Sequence, residues 1–460
     1  MLPVVALVGR PNVGKSTLFN ALTGTRDALV ADLPGLTRDR QYGYARRTDV
    51  PCIVVDTGGL VESAQGLESL MIGQTERAIE EADRIVVVVD GRAGVTAQDQ
   101  FVARLIHKSG KPALLAVNKT EGFDPDMAVA DFHSLGLGEP VPIAAAHDQG
   151  VVDLLEQALA GIAPEPEEQA DLTGIKVAVI GRPNVGKSTL INRLLGEDRL
   201  VAFDQPGTTR DAVMVPFERN GQRYTLIDTA GVRRRARIED AVEKFSVIKT
   251  LQAIESAHVV LALMDAHENV GEQDASLIGT AIEEGRALVL AVNKWDNIPM
   301  EQRDLIRDQV RERLSFADFA PLHFISARHG TGVGDLLATV NAVYAAAMRE
   351  MPTPELTHVL EAAIESHQPP VIRGRRIKLR YAHQGGRNPP VIVVHGNQTD
   401  QVPDAYRRYL VNVYRKAFDL QGTPVRVLFR GEENPFAGKR NPLTPRQRRK
   451  RARLIKRNRR

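Results

Sequence analysis

The 460-residue chain has one cysteine, one tryptophan and only 5% aromatic residues. With Cys52 alone it cannot form an internal disulfide, which is typical of proteins in a reducing cytoplasm. No stretch approaches the roughly 18 consecutive apolar residues that a membrane-spanning helix needs. The chain also starts with an apolar segment rather than the basic start of a secretory leader. We therefore expect a cytoplasmic protein without a membrane span.

Acidic residues are missing from the C-terminal end. Residues 436–460 contain twelve Lys/Arg and no Asp/Glu, whereas residues 1–351 carry a net charge of −13. Contacts with polyanions should therefore concentrate at the C-terminus. We expect the tail, residues 439–460, to be disordered by itself and to contact RNA phosphates. The alternative is a solvated tail that only aids solubility.

The ten-residue segment GRPNVGKSTL occurs twice, at residues 9–18 and 181–190. Each copy fits the phosphate-loop pattern G-x-x-x-x-G-K-[ST] and lies between an apolar strand-like run and a helix-like run. In such a loop the glycines let main-chain N–H groups point at phosphate oxygens, and the following helix adds its dipole. The repeat predicts a duplicated nucleotide-binding module.

The residues after each loop repeat at matched spacing. Lys15 and Lys187 are expected to neutralise the β- and γ-phosphates, and Ser16 and Ser188 to supply hydroxyls to Mg²⁺. In both copies a threonine follows the lysine by 22 residues and an aspartate follows it by 41. Such residues let loops respond to a γ-phosphate through Mg²⁺. The predicted metal ligands are Ser16, Thr37, Asp56, Ser188, Thr209 and Asp228.

An apolar strand ending in asparagine follows in both halves. In the second half it continues to Asp296 in the N-K-x-D pattern, whose carboxylate accepts hydrogen bonds from guanine but not from adenine. In the first half Glu121 takes the place of that aspartate, and Ala144 takes the place of Ser326. We therefore expect the first site to bind guanine nucleotides more weakly or less selectively than the second.

These motifs resemble those of the Der family of bacterial double GTPases, also called EngA, over nearly the whole chain. The resemblance implies two tandem P-loop GTPase domains with doubly wound, mostly parallel α/β sheets, followed by an α+β KH-like domain. It also implies GTP hydrolysis with GTP/GDP and Mg²⁺ bound, and a role in maturing the large (50S) ribosomal subunit with its rRNA as partner. We expect a monomer.

Two positions in each loop region bear on hydrolysis. In related GTPases an asparagine at the position of Asn12 and Asn184 coordinates K⁺, so we expect K⁺-stimulated hydrolysis; alternatively, these asparagines only shape the turn. Leu60 and Val232 occupy positions where many small GTPases have a water-orienting glutamine, so intrinsic turnover should be slow. The predicted catalytic residues are Lys15, Thr37, Lys187, Thr209, Asn12 and Asn184.

The predicted nucleotide contacts come from the phosphate loops, the aspartate–glycine segments and the base-recognition segments. They are Gly9, Arg10, Pro11, Asn12, Val13, Gly14, Lys15, Ser16, Thr17, Asp56, Gly59, Asn118, Lys119 and Glu121 in the first half, and Gly181, Arg182, Pro183, Asn184, Val185, Gly186, Lys187, Ser188, Thr189, Asp228, Gly231, Asn293, Lys294, Asp296, Ser326 and Ala327 in the second.

Proline and charge patterns predict the domain boundaries. The segments are a GTPase domain at 1–163, an acidic Pro-containing linker at 164–174, a second GTPase domain at 175–350, the KH-like domain at 351–438 and the tail. The KH-like segment reads helix, strand, strand, helix, strand, with Gly385-Gly386 between its first two strands. It lacks the GXXG loop with which RNA-binding KH domains clamp a nucleic-acid backbone. Direct RNA contact and docking onto a GTPase module therefore remain equal alternatives.

Two other functions are weighed against ribosome assembly. A GTPase coupled to tRNA modification has a similar phosphate-loop asparagine, but such a chain commonly carries a C-terminal reactive cysteine, and this chain has only Cys52. A GTP switch at a membrane surface is compatible with the basic tail. However, Leu443, Leu454 and Ile455 are the only large apolar residues beyond Phe436, so the tail lacks an apolar face.

Overall fold

The computed structural model describes residues 2–24, 41–57, 78–162, 174–196, 214–227, 247–372 and 375–431. The chain divides into two compact units, Met1–Met348 with Leu420–Pro424, and Arg349–Asp419 with Val425–Arg460. The first unit contains two modules of the same design. In the described ranges, no helix is both long and apolar enough to cross a membrane. The predicted tail and most of the predicted linker lie outside these ranges.

The first module is built on a six-stranded sheet with the order β2-β3-β1-β4-β5-β6. Only β2 runs antiparallel to its neighbour. Alternate residues of β1 enter different hydrophobic clusters, with Val5 and Leu7 in one and Ala6 in the other. The sheet is therefore buried on both faces, which explains its continuous apolar strands. The elements are β1 (Val4–Val8), α1 (Lys15–Thr23), β2 (Gln41–Ala45), β3 (Cys52–Asp56), β4 (Arg84–Asp90), α2 (Ala97–Ser109), β5 (Ala113–Asn118), α3 (Pro125–Val129), β6 (Val141–Pro142) and α4 (Val151–Leu159).

The second module repeats this plan with the order β12-β11-β10-β7-β9-β8, in which only β8 is antiparallel. Its central strands β10 and β11 are buried along their whole length. Together the two sheets confirm the predicted pair of mostly parallel α/β domains. The elements are β7 (Ile175–Ile180), α5 (Lys187–Leu195), β8 (Met214–Arg219), β9 (Gln222–Ile227), α6 (Val247–Ser256), β10 (Val259–Asp265), α7 (Glu272–Glu283), β11 (Ala287–Asn293), α8 (Met300–Arg313), β12 (Leu322–Phe324) and α9 (Val333–Ala347).

Helix α6 contacts both modules. Val247, Ile248 and Leu251 belong to the hydrophobic cluster of the first module, whereas Ala253 and Ile254 belong to a cluster of the second. A helix that is apolar on two faces can bury both of them only between two partners. The helix therefore connects the cores of the two modules.

The second unit contains the predicted order helix, strand, strand, helix, strand, and adds two two-residue strands after the first helix. It contains α10 (Thr353–Ser366), β13 (Val371–Ile372), β14 (Arg375–Arg376), β15 (Lys378–Gly386), β16 (Val391–Asn397), α11 (Asp404–Ala417) and β17 (Arg426–Gly431). The order β15-β16-β17 forms a mixed three-stranded sheet. One expectation was wrong: Gly385 and Gly386 end strand β15 rather than linking two strands. An irregularity in register between Gln384 and Gly386 lets the strand continue through them.

Candidate nucleotide sites

In each module the phosphate loop joins the first strand to the first helix, and its last glycine caps that helix. Gly14 and Gly186 adopt left-handed φ values of 98° and 100°. A Cβ at either position would overlap the side-chain Nδ2 of Asn118 or Asn293. Only glycine combines this φ with this close approach. The open end of α1 or α5 therefore stays clear for an anion such as a phosphate.

Both phosphate-loop lysines are turned back into their own loop. Lys15 Nζ donates to the carbonyls of Gly9 and Arg10, each at 2.8 Å. Lys187 Nζ donates to the carbonyls of Gly181 and Arg182 at 3.1 and 2.7 Å. Burial lowers the pKa of Lys15, while the charge of Asp56 acts in the opposite direction. Each ammonium group is therefore held at the loop, where it can meet phosphate oxygens.

The metal ligands predicted for the first site are partly brought together. Ser16 Oγ donates to Asp56 Oδ2 at 2.7 Å, so a hydroxyl and a carboxylate lie side by side at the start of α1. These are ligands that Mg²⁺ prefers, and in such sites the ion takes further ligands from the phosphates and water. The described residues contain no cluster of three or more acidic, His or Cys side chains that could hold a metal without them. The residues present therefore fit Mg²⁺ delivered with a nucleotide.

Several predicted residues lie outside the described ranges. They are Thr37, Gly59, Thr209, Asp228 and Gly231, together with Leu60 and Val232. Ser188 is described, at the start of α5, in the position that Ser16 has in α1.

The phosphate-loop asparagines share one backbone conformation. Asn12 and Asn184 have φ values of 64° and 62°, in the left-handed region that asparagine adopts more readily than most residues. Both residues are exposed and are therefore accessible from solvent at the loop.

The asparagines that end β5 and β11 link the base-recognition segment to the phosphate loop. Each side chain is buried, donates through Nδ2 to a carbonyl of the phosphate loop and accepts through Oδ1 from the main-chain N–H of the residue after Ala144 or Ser326. Three loops are thereby fixed relative to one another without the ligand. The contacts join Asn118 to Val13 at 2.9 Å and Ala145 at 3.0 Å, and Asn293 to Val185 and Ala327 at 2.8 Å each.

The neighbouring lysines are held by aspartates that sequence reasoning missed. Lys119 Nζ lies 2.6 Å from Asp90 and 2.8 Å from the carbonyl of Asn12, and Lys294 Nζ lies 2.5 Å from Asp265. Each aspartate ends the strand that pairs with the asparagine strand. The available signal was that both long apolar runs, β4 and β10, end in aspartate.

A second missed contact fixes the arginine of each loop. Arg10 Nε lies 3.4 Å from Asp99, and Arg182 Nε lies 3.0 Å from Asp274. Both aspartates are also the third residue of a helix. Each accepts a hydrogen bond from the main-chain N–H of the residue that precedes the helix, Thr96 or Gly271. Burial raises the pKa of Asp274, although Gly271 N–H and Arg182 oppose the effect. The signal in the sequence was the T-x-x-D and G-x-x-D starts of α2 and α7.

The carboxylates expected to read the base have different neighbours in the two modules. Asp296 lies 3.3 Å from His329, and a hydrogen bond from Ser326 is the main cause that lowers its pKa. Glu121 lies 2.5 Å from Arg92. Ala144 has no side-chain donor with which to replace Ser326. The two sites therefore match at the phosphate end and differ at the base end.

The comparisons with known proteins agree with this geometry. A family model described as "50S ribosome-binding GTPase" matches residues 4–119 and again 176–294. A second, described as "KH-domain-like of EngA bacterial GTPase enzymes, C-terminal", matches residues 350–430. Curated proteins named GTPase Der are similar over the whole chain. That of Thioalkalivibrio sulfidiphilus is 58% identical over 460 residues, covering 99% of both chains. That of Hahella chejuensis is 57% identical, covering 99% of this chain and 97% of its own, and that of Escherichia fergusonii is 53% identical, covering 99% of both.

Proposed function

The chain belongs to the GTPase Der family, and from this premise we propose that it is a GTP-dependent assembly factor for the large (50S) ribosomal subunit. It is a GTPase that binds guanine nucleotides with Mg²⁺. The observation that supports the ribosomal role is the double match to a ribosome-binding GTPase family, over both modules of one chain. We propose that it acts in the cytoplasm and as a monomer.

The described residues prepare each site for phosphoryl transfer by position and charge. Gly14 and Gly186 keep the helix N-termini open, and the buried lysines place a positive charge at the loop. Ser16 and Asp56 fit Mg²⁺, which supplies neutralising charge at the phosphates when bound. The asparagine and lysine after β5 or β11 fix the base side. Since little covalent chemistry falls to the protein, such positioning supplies most of the catalysis.

We further propose that K⁺ stimulates hydrolysis through Asn12 and Asn184. Support comes from their exposed amides at the loop. Glycine tolerates the same φ but has no side-chain amide, so the variant Asn12→Gly with Asn184→Gly keeps the loop shape. We expect wild-type turnover to be faster in KCl than in NaCl of equal ionic strength, and this difference to vanish in the variant while GDP affinity is retained. A variant that keeps the K⁺ effect would leave the asparagines with a shaping role only.

The proposed domain limits are 1–163, 164–174, 175–350, 351–438 and 439–460, with the tail contacting rRNA phosphates. Each neutralised phosphate makes binding more salt-dependent. We expect deletion of residues 439–460 to flatten the plot of log affinity for the subunit against log salt concentration. An unchanged slope contradicts the role of the tail without affecting the proposed function.

Cosedimentation with purified ribosomal subunits tests the proposed function. The protein is mixed with large or small subunits and a non-hydrolysable GTP analogue, GDP or no nucleotide. We expect comigration with the large subunit that depends on the nucleotide. A variant with Lys15→Ala and Lys187→Ala serves as the nucleotide-free control. Comigration with neither subunit, or equal comigration with both in every nucleotide state, contradicts the proposal.

A further inference from the structure

The sheet of the second unit packs against helices on one face and has exposed side chains on the other. Strands expose alternate residues to opposite faces. Ala382, Ile392, Val394 and Val427 are buried, and they share the face on which α10 and α11 pack. The opposite face, here called the outer face, carries Tyr381, His383, Val393 and Leu428. Val393 is buried at 4%, whereas Tyr381 at 42% and Leu428 at 50% are exposed.

Three aromatic rings stack on the outer face. Tyr381 and His395 are register partners across β15 and β16, and their ring centroids lie 4.5 Å apart with an interplanar angle of 3°. The ring of His383 lies 5.1 Å from that of His395. On the other side of His395 its register partner is Arg430. The row Tyr381–His395–Arg430 thus crosses the whole sheet, and both of its ends are exposed.

The charged residues of this sheet are all basic. Strands β15, β16 and β17 contain four Lys/Arg and no Asp/Glu. Of these, Arg426 and Arg430 share the outer face with Leu428, since they alternate along β17. The sequence continues from β17 towards the twelve Lys/Arg of residues 436–460. The outer face therefore offers a polyanion the two arginines of β17.

We propose that the outer face binds single-stranded RNA, with a base stacked on Tyr381 and the adjoining phosphates at Arg430 and Arg426. Every base has a π-face, so an exposed ring in a positively charged surface binds single strands without strict sequence preference. Bases in a duplex are stacked on one another and cannot add to the row. This mode of binding does not need the GXXG loop that the chain lacks.

The proposal names the RNA-contacting surface of the proposed ribosomal function and rests on that function for its natural RNA. The test uses a single-stranded RNA oligonucleotide of mixed sequence, the full-length chain saturated with GDP, and fluorescence anisotropy at moderate and high salt. Tyr381→Leu keeps an apolar side chain but removes the ring. We expect it to weaken binding about tenfold. The ratio of the variant's dissociation constant to that of the wild type should stay the same or increase at high salt, where the electrostatic contribution of the tail is reduced.

Matched variants separate stacking from folding and from charge. Tyr381→Phe keeps the ring and should bind like the wild type. Tyr409→Leu removes the ring that pairs Tyr409 of α11 with His367, and Arg408→Gln removes an exposed arginine from the same helix. Both should leave RNA affinity unchanged, whereas Arg430→Gln should weaken it and flatten the salt dependence. Thermal unfolding of each variant verifies that the second unit is folded.

Two results overturn the inference. One is equal RNA affinity of Tyr381→Leu and the wild type, and the other is an equal loss for single-stranded and duplex RNA. Either result leaves the cosedimentation test of the proposed function unaffected. Conversely, failure of the wild type to comigrate with a ribosomal subunit, while Tyr381→Leu still weakens oligonucleotide binding, refutes the ribosomal function and retains the RNA-binding surface.

Discussion

Arg92 donates a hydrogen bond to Glu121 at 2.5 Å in the first module. In the second module the residue two positions after the strand-end aspartate is His267 rather than arginine, and the base-reading position is Asp296. The carboxylate expected to hold guanine is therefore engaged by a cation in one site and by Ser326 and His329 in the other. The difference between the two sites lies in this contact as well as in the length of the carboxylate.

The first prediction concerns guanine recognition at the first site. Arg92 is 53% and Glu121 is 28% exposed, so their ion pair is worth at most about 1 kcal/mol. We expect Arg92→His to tighten GDP binding by roughly 2- to 5-fold. Glu121→Asp, which restores the usual carboxylate length, should add a larger gain of about tenfold, since a hydrogen bond to a charged group is worth roughly 1.5–3 kcal/mol. GDP and ADP titrations in a Lys187→Ala background measure the first site alone.

The reciprocal exchange in the second site is the control for this prediction. Asp296→Glu with His267→Arg, measured in a Lys15→Ala background, should weaken GDP binding and lower the preference for GDP over ADP. If neither exchange changes affinity or selectivity, the base-end difference has no functional consequence and the two sites are equivalent.

The second prediction concerns the glycine that caps α1. Gly14→Ala combines an unfavourable left-handed φ with overlap against Asn118 Nδ2. Gly110, which caps α2, has a φ of 65° and nothing within 4 Å of an added Cβ. Gly110→Ala should therefore lower the free energy of unfolding by only about 1–2 kcal/mol, the cost of a left-handed backbone conformation in a residue with a Cβ. Gly14→Ala should cost more and abolish nucleotide binding at the first site. Chemical unfolding and GDP titration measure both effects, and equal results for the two variants would refute the steric argument.

The third prediction concerns the contact between the modules. Tyr44 Oη donates to the carbonyl of Leu251 in α6 at 2.8 Å, and Gln252 of that helix donates to the carbonyl of Leu2. Loss of such a hydrogen bond costs about 1 kcal/mol. We expect Tyr44→Phe to accelerate amide exchange in both β2 and α6. Tyr224→Phe, which removes a hydrogen bond to Asn341 inside the second module, should leave β2 unaffected. Unchanged exchange in Tyr44→Phe would show that the hydroxyl does not hold the modules together.

The sequence was sufficient for the features that depend on local pattern. The alternation of strand-like and helix-like runs and the matched motif spacing of the two halves predicted the two α/β sheets, the phosphate loops and the asparagine strands. Each of these features depends on residues close in sequence or on a repeat. The contacts of Lys119 with Asp90 and of Arg10 with Asp99 were missed, since they join residues 29 and 89 positions apart. The helix α6 could not be assigned to two cores from its apolar pattern alone, because that pattern does not name its partners. The stacked row on β15 and β16 likewise requires the strand register.

The last prediction concerns acid stability of the second module. Burial, with help from the charges of Lys176 and Arg286, lowers the pKa of His258 to about 4. The ring accepts a hydrogen bond from the N–H of Lys176 and lies against Tyr344. Above the unfolded-state pKa of about 6.5 the ring is neutral in both states. As the pH falls from there to about 4, the unfolded chain takes up a proton that the folded chain does not, so the free energy of unfolding decreases.

Because His258 is only partly buried, we expect this loss to be about 1–2 kcal/mol, below the value that the full pKa shift implies. His258→Asn keeps an acceptor for Lys176 N–H but cannot titrate. The thermal midpoint should therefore fall less between pH 7 and pH 4.5 in this variant than in the wild type, by a few degrees. His358→Asn, at an exposed position in α10, should keep the wild-type drop. An equal drop in all three proteins would mean that other groups, and not His258, determine acid stability in this range.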